Sequence, residues 1–459
     1  MSSPLNTIAF FREIASIPRE SGNEKKISDY LVSFAQKRNL FYKRDEYNNV
    51  LIKKKTCEKP PIILQTHMDM VCEKELAKQF DFATDPIELV EKDGYLMANG
   101  TTLGADNGIG MAQVLAILDS NILCNIEAVF TVSEETTMIG AMNFDVSSLE
   151  GEALISLDSF EESTIVLESA SFYDIVLKTQ YTLNSSKNMN AYEINLTGML
   201  GGHSGFDIDK GRGNSDIELA KVLSKITDIE ITDFCGGTKF NVIPSQATAK
   251  FYTNLTNDEM AQLCKTTQNK LRKEYPELKI SCISKNMKEG TLDNKQSKEF
   301  LKMIACFPHG VIFRNQSHEV TTSVNLGGVN LKSRELKVGM RSTKKIEETE
   351  CIEILKKYSK ENQLRFNILG SQPGFESKEN VKLIQDLLKS YPINLFKQQP
   401  ILKSMHITLE TGIFQFKKPE LQIALISSNI QGAHTINEKV EIESINRTDE
   451  WLVNFLTTY

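Results

Sequence analysis

Short apolar runs alternate with a helical pattern in the first third of the chain. Residues 61–65, 126–132 and 153–157 are apolar runs of strand length and predict buried strands. Residues 108–118 are apolar on nearly every side, which predicts a buried helix. Strands that alternate with helices are typical of an α/β sheet covered on both faces, so we expect that architecture here.

A further helix is predicted within residues 17–37, where apolar side chains recur at near-helical spacing. Ser21 stands three residues before Glu24, which is the spacing of a capping box. In that motif the two side chains accept backbone N–H groups at the start of a helix. Ser21 and Glu24 are therefore candidates for a capping box at the start of this helix.

The pattern changes beyond about residue 179, where strands become longer and more polar. Strands are predicted at residues 191–197, 247–252 and 335–341, with a charged helix at 257–274. A helix at 381–391 and a strand at 421–426 then return to the first domain. The predicted domains are a first domain of residues 1–185 and 377–459 and an inserted domain of residues 186–376, with a hinge at Ser371–Gly374.

Composition and charge narrow the class of protein. The 459 residues are 40% hydrophobic and 25% charged, which is typical of a globular protein with more than one core. The net charge of -7 argues against a nucleic-acid partner. No secretory signal is visible, and no segment approaches the roughly 20 apolar residues of a membrane span. We expect a cytoplasmic protein with neither a nucleic-acid nor a membrane partner.

Histidines and carboxylates cluster at the ends of the predicted strands. His67 and Asp69 point to the same side of an extended segment, so Asp69 can orient a ring that binds a metal. By itself, this His-x-Asp pattern is common, and it is more often a structural pair than a metal site. Other candidates also stand at apolar boundaries, and they are Asp106, Glu134, Glu135, Asp158 and His434.

Several buried carboxylates need compensating positive charge, because an unpaired buried carboxylate is costly. The neighbouring sequence supplies none, whereas a pair of divalent metal ions does. Mixed imidazole and carboxylate ligands suit Zn²⁺, with Co²⁺ or Mn²⁺ as substitutes. The eight cysteines include no Cys-x-x-Cys pair, which argues against a thiolate zinc cluster.

A set of motifs spread over nearly the whole chain resembles the aminoacyl-histidine dipeptidases. This carnosinase-like group belongs to the zinc aminoacylase and carboxypeptidase superfamily. The resemblance implies a zinc-peptidase-like catalytic domain with a mixed sheet, and an inserted α+β domain that acts as a lid. The motifs are IPRES (17–21), QTHMDMVCEK (65–74), GTTLGADNGIG (100–110), EET (134–136), LDS (157–159), GGHSG (201–205), GRGN (211–214) and GAH (432–434).

The resemblance also implies roles for the clustered residues. One metal is expected on His67 and Asp158, the other on Glu135 and His434, and Asp106 bridges them. Glu134 is left as the general base. Adjacent glutamates can divide these roles only where the backbone is not regularly extended.

Further implied roles concern the substrate. His203 is expected to stabilise the oxyanion, Asn241 and Arg341 to meet the substrate carboxylate, and Glu410 to bind its amino group. For Arg341 a surface ion pair stays an alternative. His406 lies four residues before Glu410, but we do not expect a third metal there.

Thr408, Thr411 and Gln431 depart from the family pattern and leave the substrate preference open. The predicted activity is hydrolysis of dipeptides, of the Xaa-His type or broader. Hydrolysis of other short peptides or N-acyl amino acids, and a non-catalytic homologue, are the alternatives. A homodimer is an option by analogy with relatives.

Overall fold

The computed structural model describes residues 5–183 and 189–459, and its contacts divide the chain into two compact units. The first unit comprises Met1–Ser169, Phe375–Met405 and Leu409–Tyr459, and the second comprises Ala170–Gly374 and His406–Thr408. Each unit has its own cluster of buried apolar side chains. The expected inserted domain began at residue 186, whereas the second unit begins at Ala170. The domain assignment itself stays a prediction.

The helices of the described residues begin and end as follows: α1 (Thr7–Ala15), α2 (Lys25–Lys37), α3 (Ala105–Asp119), α4 (Ile139–Asn143), α5 (Ser215–Leu223), α6 (Asn257–Leu271), α7 (Asn294–Ala305), α8 (Lys345–Glu361), α9 (Lys382–Ser390), α10 (Ile393–Phe396), α11 (Glu410–Lys417) and α12 (Ile442–Thr458). None of these described helices has the length and apolar character needed to cross a membrane.

The strands of the described residues are β1 (Phe41–Arg44), β2 (Val50–Lys54), β3 (Ile62–His67), β4 (Leu89–Lys92), β5 (Tyr95–Ala98), β6 (Ile126–Thr131), β7 (Ala153–Ser156), β8 (Thr164–Ser169), β9 (Ser171–Lys178), β10 (Asn190–Thr197), β11 (Gly202–His203), β12 (Glu230–Gly236), β13 (Val242–Ile243), β14 (Ala247–Thr253), β15 (Lys279–Lys285), β16 (Gly310–Arg314), β17 (Val320–Asn330), β18 (Glu335–Ser342), β19 (Arg365–Gln372), β20 (Ile401–Met405), β21 (Gln422–Leu425), β22 (Ile430–Gln431) and β23 (Lys439–Glu441).

The main sheet of the first unit is mixed. Its order is β1-β2-β6-β3-β7-β21-β8-β20, and β3 runs parallel to both β6 and β7. Every residue of β3, β6 and β7 is buried, as expected for strands that form continuous apolar runs. Helix α3 packs against β3 and is buried from Ala105 to Leu118, which agrees with its prediction as a buried helix.

The second unit is built on a larger sheet. Its strands follow the order β15-β10-β14-β12-β17-β18-β9-β19, with β16 added beside β17. Strand β9 hydrogen-bonds along its length with β18 and β19, which is why it belongs to this unit although it precedes residue 186. A separate two-stranded sheet pairs β11 with β13 and carries His203.

The capping box predicted at Ser21 and Glu24 is wrong. Helix α2 begins at Lys25, and Glu24 occupies the cap position without a side-chain capping bond. The Ser21 hydroxyl instead donates to Asp69, and the Glu24 carboxylate accepts from Ser133. The spacing along the sequence predicted that both side chains cap the helix beside them. In the structure, each side chain instead hydrogen-bonds to a residue more than 40 positions away.

The buried carboxyl of Asp449 in α12 predicts a pH-dependent stability. It accepts hydrogen bonds from Thr7 Oγ1 (2.6 Å) and Gln113 Nε2 (2.9 Å), yet burial raises its pKa to about 7. The pKa of Asp449 is therefore higher in the folded state than in the unfolded state, where it is about 3.8. The proton on Asp449 stabilises the folded protein fully below pH 3.8, and this stabilisation is lost as the pH rises to about 7.

We therefore expect Asp449→Asn to raise the free energy of unfolding at pH 8 by about 2 to 4 kcal/mol. The gain should be small near pH 4, grow up to about pH 7 and then level off. Urea denaturation from pH 4 to 8 measures it. A gain that is the same at every pH would contradict this origin.

Candidate active site

Three parallel strands of the first unit deliver candidate residues to one sheet edge. Strand β3 ends at His67, β6 ends shortly before Glu134 and Glu135, and β7 ends two residues before Asp158. Because the carboxyl ends of parallel strands share an edge, residues from distant parts of the sequence meet there. The sheet therefore explains the clustering of these side chains.

Asp106 stands between two imidazoles. Its Oδ1 lies 3.1 Å from Nε2 of His67, and its Oδ2 lies 3.0 Å from Nε2 of His434. Asp106 is nearly fully buried near the start of α3, whereas His434 belongs to the loop between β22 and β23. One carboxylate thus presents a separate oxygen to each ring, as a bridging metal ligand does.

Each imidazole also faces a second carboxylate. Nε2 of His67 lies 3.6 Å from Asp158 Oδ1, and Nε2 of His434 lies 2.9 Å from Glu135 Oε1. Two ligand atoms on one tetrahedral zinc ion stand about 3.3 Å apart, given Zn–ligand distances of about 2.0 to 2.1 Å. The observed separations bracket that value, and they group the residues into the two sets expected from the sequence.

Adjacent Glu134 and Glu135 lie in a turn rather than an extended strand. The preceding Ser133 has a φ of 55°. The backbone N–H groups of both glutamates donate to the Asp69 carboxylate, at 3.0 and 3.2 Å. The turn therefore meets the condition under which the two side chains can take different roles.

Asp69 was predicted to orient the His67 ring, and in the structure it also contacts other groups. Its Oδ1 lies 3.4 Å from Nδ1 of His67, on the side of the ring away from Asp106. Its other oxygen accepts from the Ser21 hydroxyl at 2.7 Å. One fully buried carboxylate thus holds the turn of the two glutamates and lies beside the His67 ring.

The charges of the cluster are unbalanced. Among the described residues, no lysine or arginine forms an ion pair with Asp69, Asp106, Glu134, Glu135 or Asp158. The two imidazoles pair with all of these carboxylates except Glu134. Burial and neighbouring carboxylates raise the pKa of Glu134, and burial and Asp106 raise that of Glu135 to about 7. Burial alone would lower the pKa of His434, but Asp106 and Glu135 raise it to about 11. Such a cluster attracts cations.

Two supporting residues were not found from the sequence. Glu438 is buried and accepts backbone N–H groups of Leu103 (2.9 Å), Gly104 (2.8 Å) and Asp106 (3.2 Å), so it holds the start of α3. Asn107 donates to Asp158 Oδ1 at 3.1 Å. In the sequence, Glu438 is visible only as a glutamate four residues after His434, and Asn107 only as a polar residue beside Asp106. Both patterns are too common to predict a role.

Glu410 lies at the start of α11 and is 1% exposed. Its Oε2 accepts from Gln65 Nε2 at 2.9 Å and from the Thr131 hydroxyl. Its Oε1 is buried without a hydrogen-bond partner among the described residues. Burial raises the pKa of Glu410 to about 8.

Arg341 is the centre of a polar cluster within the second unit. The buried guanidinium lies 3.2 Å from Ser204 Oγ, 3.0 Å from Thr408 Oγ1 and 3.3 Å from His203 Nε2, and it stacks on the ring of Phe172. No described carboxylate lies within ion-pair distance of it. The surface ion pair considered from the sequence is therefore not what the structure shows.

His203 and Arg341 direct donors towards each other. Nδ1 of His203 accepts the backbone N–H of Gly205 at 3.2 Å, so this hydrogen-bond pattern assigns the proton of the neutral ring to Nε2. That Nε2 lies 3.3 Å from Nη2 of Arg341, which is also a donor.

The remaining predicted residues have individual partners. Asn241 precedes β13, and its carbonyl accepts the N–H of Ser204 at 2.9 Å. Nε2 of His406 lies 2.7 Å from Ser323 Oγ, and burial lowers its pKa to about 3. Because His406 and Glu410 bind separate partners, the structure gives no support to a third metal there.

Comparison with known proteins decides the family. The model of peptidase family M20/M25/M40 matches residues 63–458. The chain belongs to this peptidase family. The predicted resemblance and the prediction of a hydrolase that acts on peptide bonds are thereby confirmed, and so is the α/β class with a mixed sheet.

Individual relatives agree with this assignment. The cytosol non-specific dipeptidase of Escherichia coli is 30% identical over 462 residues, which cover 96% of this chain and 95% of the relative. The crystal structure of aminoacylhistidine dipeptidase from Vibrio alginolyticus matches with a TM-score of 0.82 and 26% identity, over 100% of this chain and 97% of that one. A tripeptidase from Staphylococcus aureus (TM-score 0.58, 17% identity, 99% of both chains) shares the fold.

Proposed function

We propose that this peptidase is a zinc-dependent dipeptidase with two metal ions. The observation that carries the proposal is the Asp106 carboxylate, which presents one oxygen to His67 and the other to His434. The hydrolysis of dipeptides predicted from the sequence agrees with the names of both full-length relatives. Zinc rather than another divalent ion is supported by the mixed imidazole and carboxylate donors.

The residues present fit a pair of cations. His67 and Asp158 would hold one, Glu135 and His434 the other, and Asp106 both. The fit rests on ligand separations of 2.9 to 3.6 Å and on the excess of buried carboxylates. Bound there, two such ions would supply Lewis acidity and would lower the pKa of the attacking water.

Side chains of the protein would then transfer the protons and stabilise the developing charge. We assign Glu134 to take a proton from the attacking water and return it to the leaving amine, because it lies beside the ligands without being needed as one. Asp69 keeps the His67 ring oriented and the glutamate turn in place. His203 would donate from Nε2 to the carbonyl oxygen as negative charge develops there.

Groups for both ends of a short peptide are present. Arg341 has free donors and no described carboxylate partner, so it suits a substrate carboxylate. Asn241 is proposed to assist it. The unpartnered Oε1 of Glu410 suits a substrate ammonium group. A free carboxylate suits the first group and a free amino group suits the second, so we infer dipeptides rather than N-acyl amino acids as substrates.

A panel of substrates tests this proposal. The purified protein with Zn²⁺ should hydrolyse β-Ala-His, other Xaa-His and Gly-Gly, and removal of metal by a chelator should abolish the activity. Mass spectrometry of the native protein should find two metal ions for each chain. Faster hydrolysis of tripeptides or N-acyl amino acids than of every dipeptide would overturn the substrate assignment.

Arg341→Met should raise KM for a dipeptide by about 10- to 100-fold, because a hydrogen bond to a charged group contributes about 1.5 to 3 kcal/mol. The corresponding dipeptide amide lacks the carboxylate, so its hydrolysis should change little. Steady-state kinetics on both substrates measure the difference. Arg314→Met, which removes an exposed ion pair with Asp209 (3.7 Å), is the matched control. Equal losses on dipeptide and amide would argue against carboxylate recognition.

We also propose that the protein works in the cytoplasm on small peptides. The name of the Escherichia coli relative as a cytosol enzyme supports this location. The homodimer considered from the sequence stays a prediction.

A further inference from the structure

A short segment near the amino terminus contacts three of the loops that carry or lead into proposed active-site residues. Residues 19–24, called here the 19–24 segment, follow α1 and precede α2. The three loops follow β3, precede α3 and follow β6. The matched family region begins at residue 63, so the segment lies outside it.

Arg19 joins the first two loops. Its guanidinium is buried (2% exposed) and donates to the carbonyl oxygens of Met68 (3.0 Å), Asp69 (2.9 Å) and Gly104. Burial lowers its pKa, although nearby acids including Glu438 oppose this shift. A buried cation that binds only backbone carbonyls fixes the path of the main chain on both sides of the site.

Ser21 and Glu24 connect the segment to Asp69 and to the loop after β6. The Ser21 hydroxyl donates to Asp69, which in turn accepts the N–H groups of the glutamate turn. Oε1 of Glu24 accepts three hydrogen bonds, from the N–H (2.9 Å) and hydroxyl (3.0 Å) of Ser133 and from the N–H of Gly22 (2.9 Å). Ser133 is the residue of positive φ that directs the chain into Glu134.

We propose that the 19–24 segment is a positioning element of the active site, with Arg19, Ser21 and Glu24 as positioning residues. They act through the backbone and through Asp69, and none needs to touch substrate or metal. The inference rests on the proposed function, because it deepens the account of how Glu134 is held. A merely structural role would affect stability without a specific effect on turnover.

Glu24 offers the sharpest test, because all three of its hydrogen bonds end on one oxygen. Glu24→Gln keeps an acceptor oxygen there, whereas Glu24→Ala removes it. Glu127→Ala is the matched control, since Glu127 is also buried and accepts backbone N–H groups, those of Glu150 and Gly151, away from the glutamate turn.

We expect Glu24→Ala to lower kcat by about 10- to 100-fold, the effect typical of groups that orient catalytic residues. KM should change by less than about threefold, and metal content should equal that of the wild type. Glu24→Gln should recover kcat to within about threefold. Glu127→Ala should lower the Tm but leave kcat within about twofold. Hydrogen exchange should be faster at the Glu134 and Glu135 amides in Glu24→Ala only.

The proposal is overturned by near-normal kcat in Glu24→Ala, by an equal loss in Glu127→Ala, or by unchanged exchange at the glutamate turn. If Glu24→Ala does not fold, Ser21→Ala, which removes a single hydroxyl, takes its place with the same criteria. A wild type that hydrolyses no dipeptide contradicts the proposed function instead, and the exchange measurement still decides the role of the segment.

Discussion

Glu134→Gln is expected to reduce kcat by about 10²- to 10⁴-fold, the range typical of general acid–base catalysis. The amide has nearly the size of the carboxylate but cannot take up a proton at neutral pH. Burial and the surrounding carboxylates raise the pKa of Glu134, and the positive charge of bound cations would lower it again. Metal content and KM should stay close to wild type, because Glu134 is not among the proposed ligands.

The matched control is the same substitution one residue further on. Glu135→Gln removes a proposed ligand whose Oε1 lies 2.9 Å from His434 Nε2, so it should lose metal as well as activity. Metal analysis and steady-state kinetics on both variants measure the contrast. Wild-type turnover in Glu134→Gln, or metal loss in that variant alone, would show that the two roles are assigned wrongly.

Asp106→Asn should lower activity by about 10³-fold or more and reduce the bound metal below two ions for each chain. The carboxylate offers two equivalent anionic oxygens, one to each imidazole at 3.1 and 3.0 Å. An amide offers only one neutral oxygen, so it cannot bridge two cations. Loss of the shared site removes the Lewis acid contribution, which amounts to several kcal/mol in transition-state stabilisation.

Metal titration by calorimetry and activity with excess Zn²⁺ measure this effect. Asp449→Asn makes the same chemical change at another buried carboxyl of the first unit and should leave metal content and kcat unchanged. Full occupancy by two ions in Asp106→Asn would contradict the bridging role. Partial recovery of activity at high Zn²⁺ is expected if one of the two sites keeps its imidazole and second carboxylate.

Much of the first unit followed from local patterns. The strands predicted at residues 61–65, 126–132 and 153–157 correspond to β3, β6 and β7 within two residues at each end. Continuous apolar runs decide such strands, because burial on both faces leaves few alternatives. The position of His67, Glu135 and Asp158 at one edge followed from the same reasoning, since parallel strands end together.

Local sequence patterns did not predict the contacts between residues that are far apart in the chain. Ser21 and Glu24 have the spacing of a capping box, yet each binds a partner in a distant loop. The role of Glu438 at the start of α3 depends on more than 300 residues of intervening chain. A polar side chain satisfies its hydrogen bonds with whichever partner the fold brings close, and spacing along the chain does not encode that choice.

The sequence by itself determined the α/β class, the buried strands β3, β6 and β7 and the residue types of the proposed two-cation site, because hydrophobic periodicity and donor chemistry are local properties. Only the tertiary structure decided which oxygen of Asp106 faces which imidazole and that Arg341 lacks a carboxylate partner. It also decided that Arg19 and Glu24 hold the loops around Glu134. These arrangements depend on distances between segments far apart in the chain, and such distances are fixed only when both segments pack against the same core.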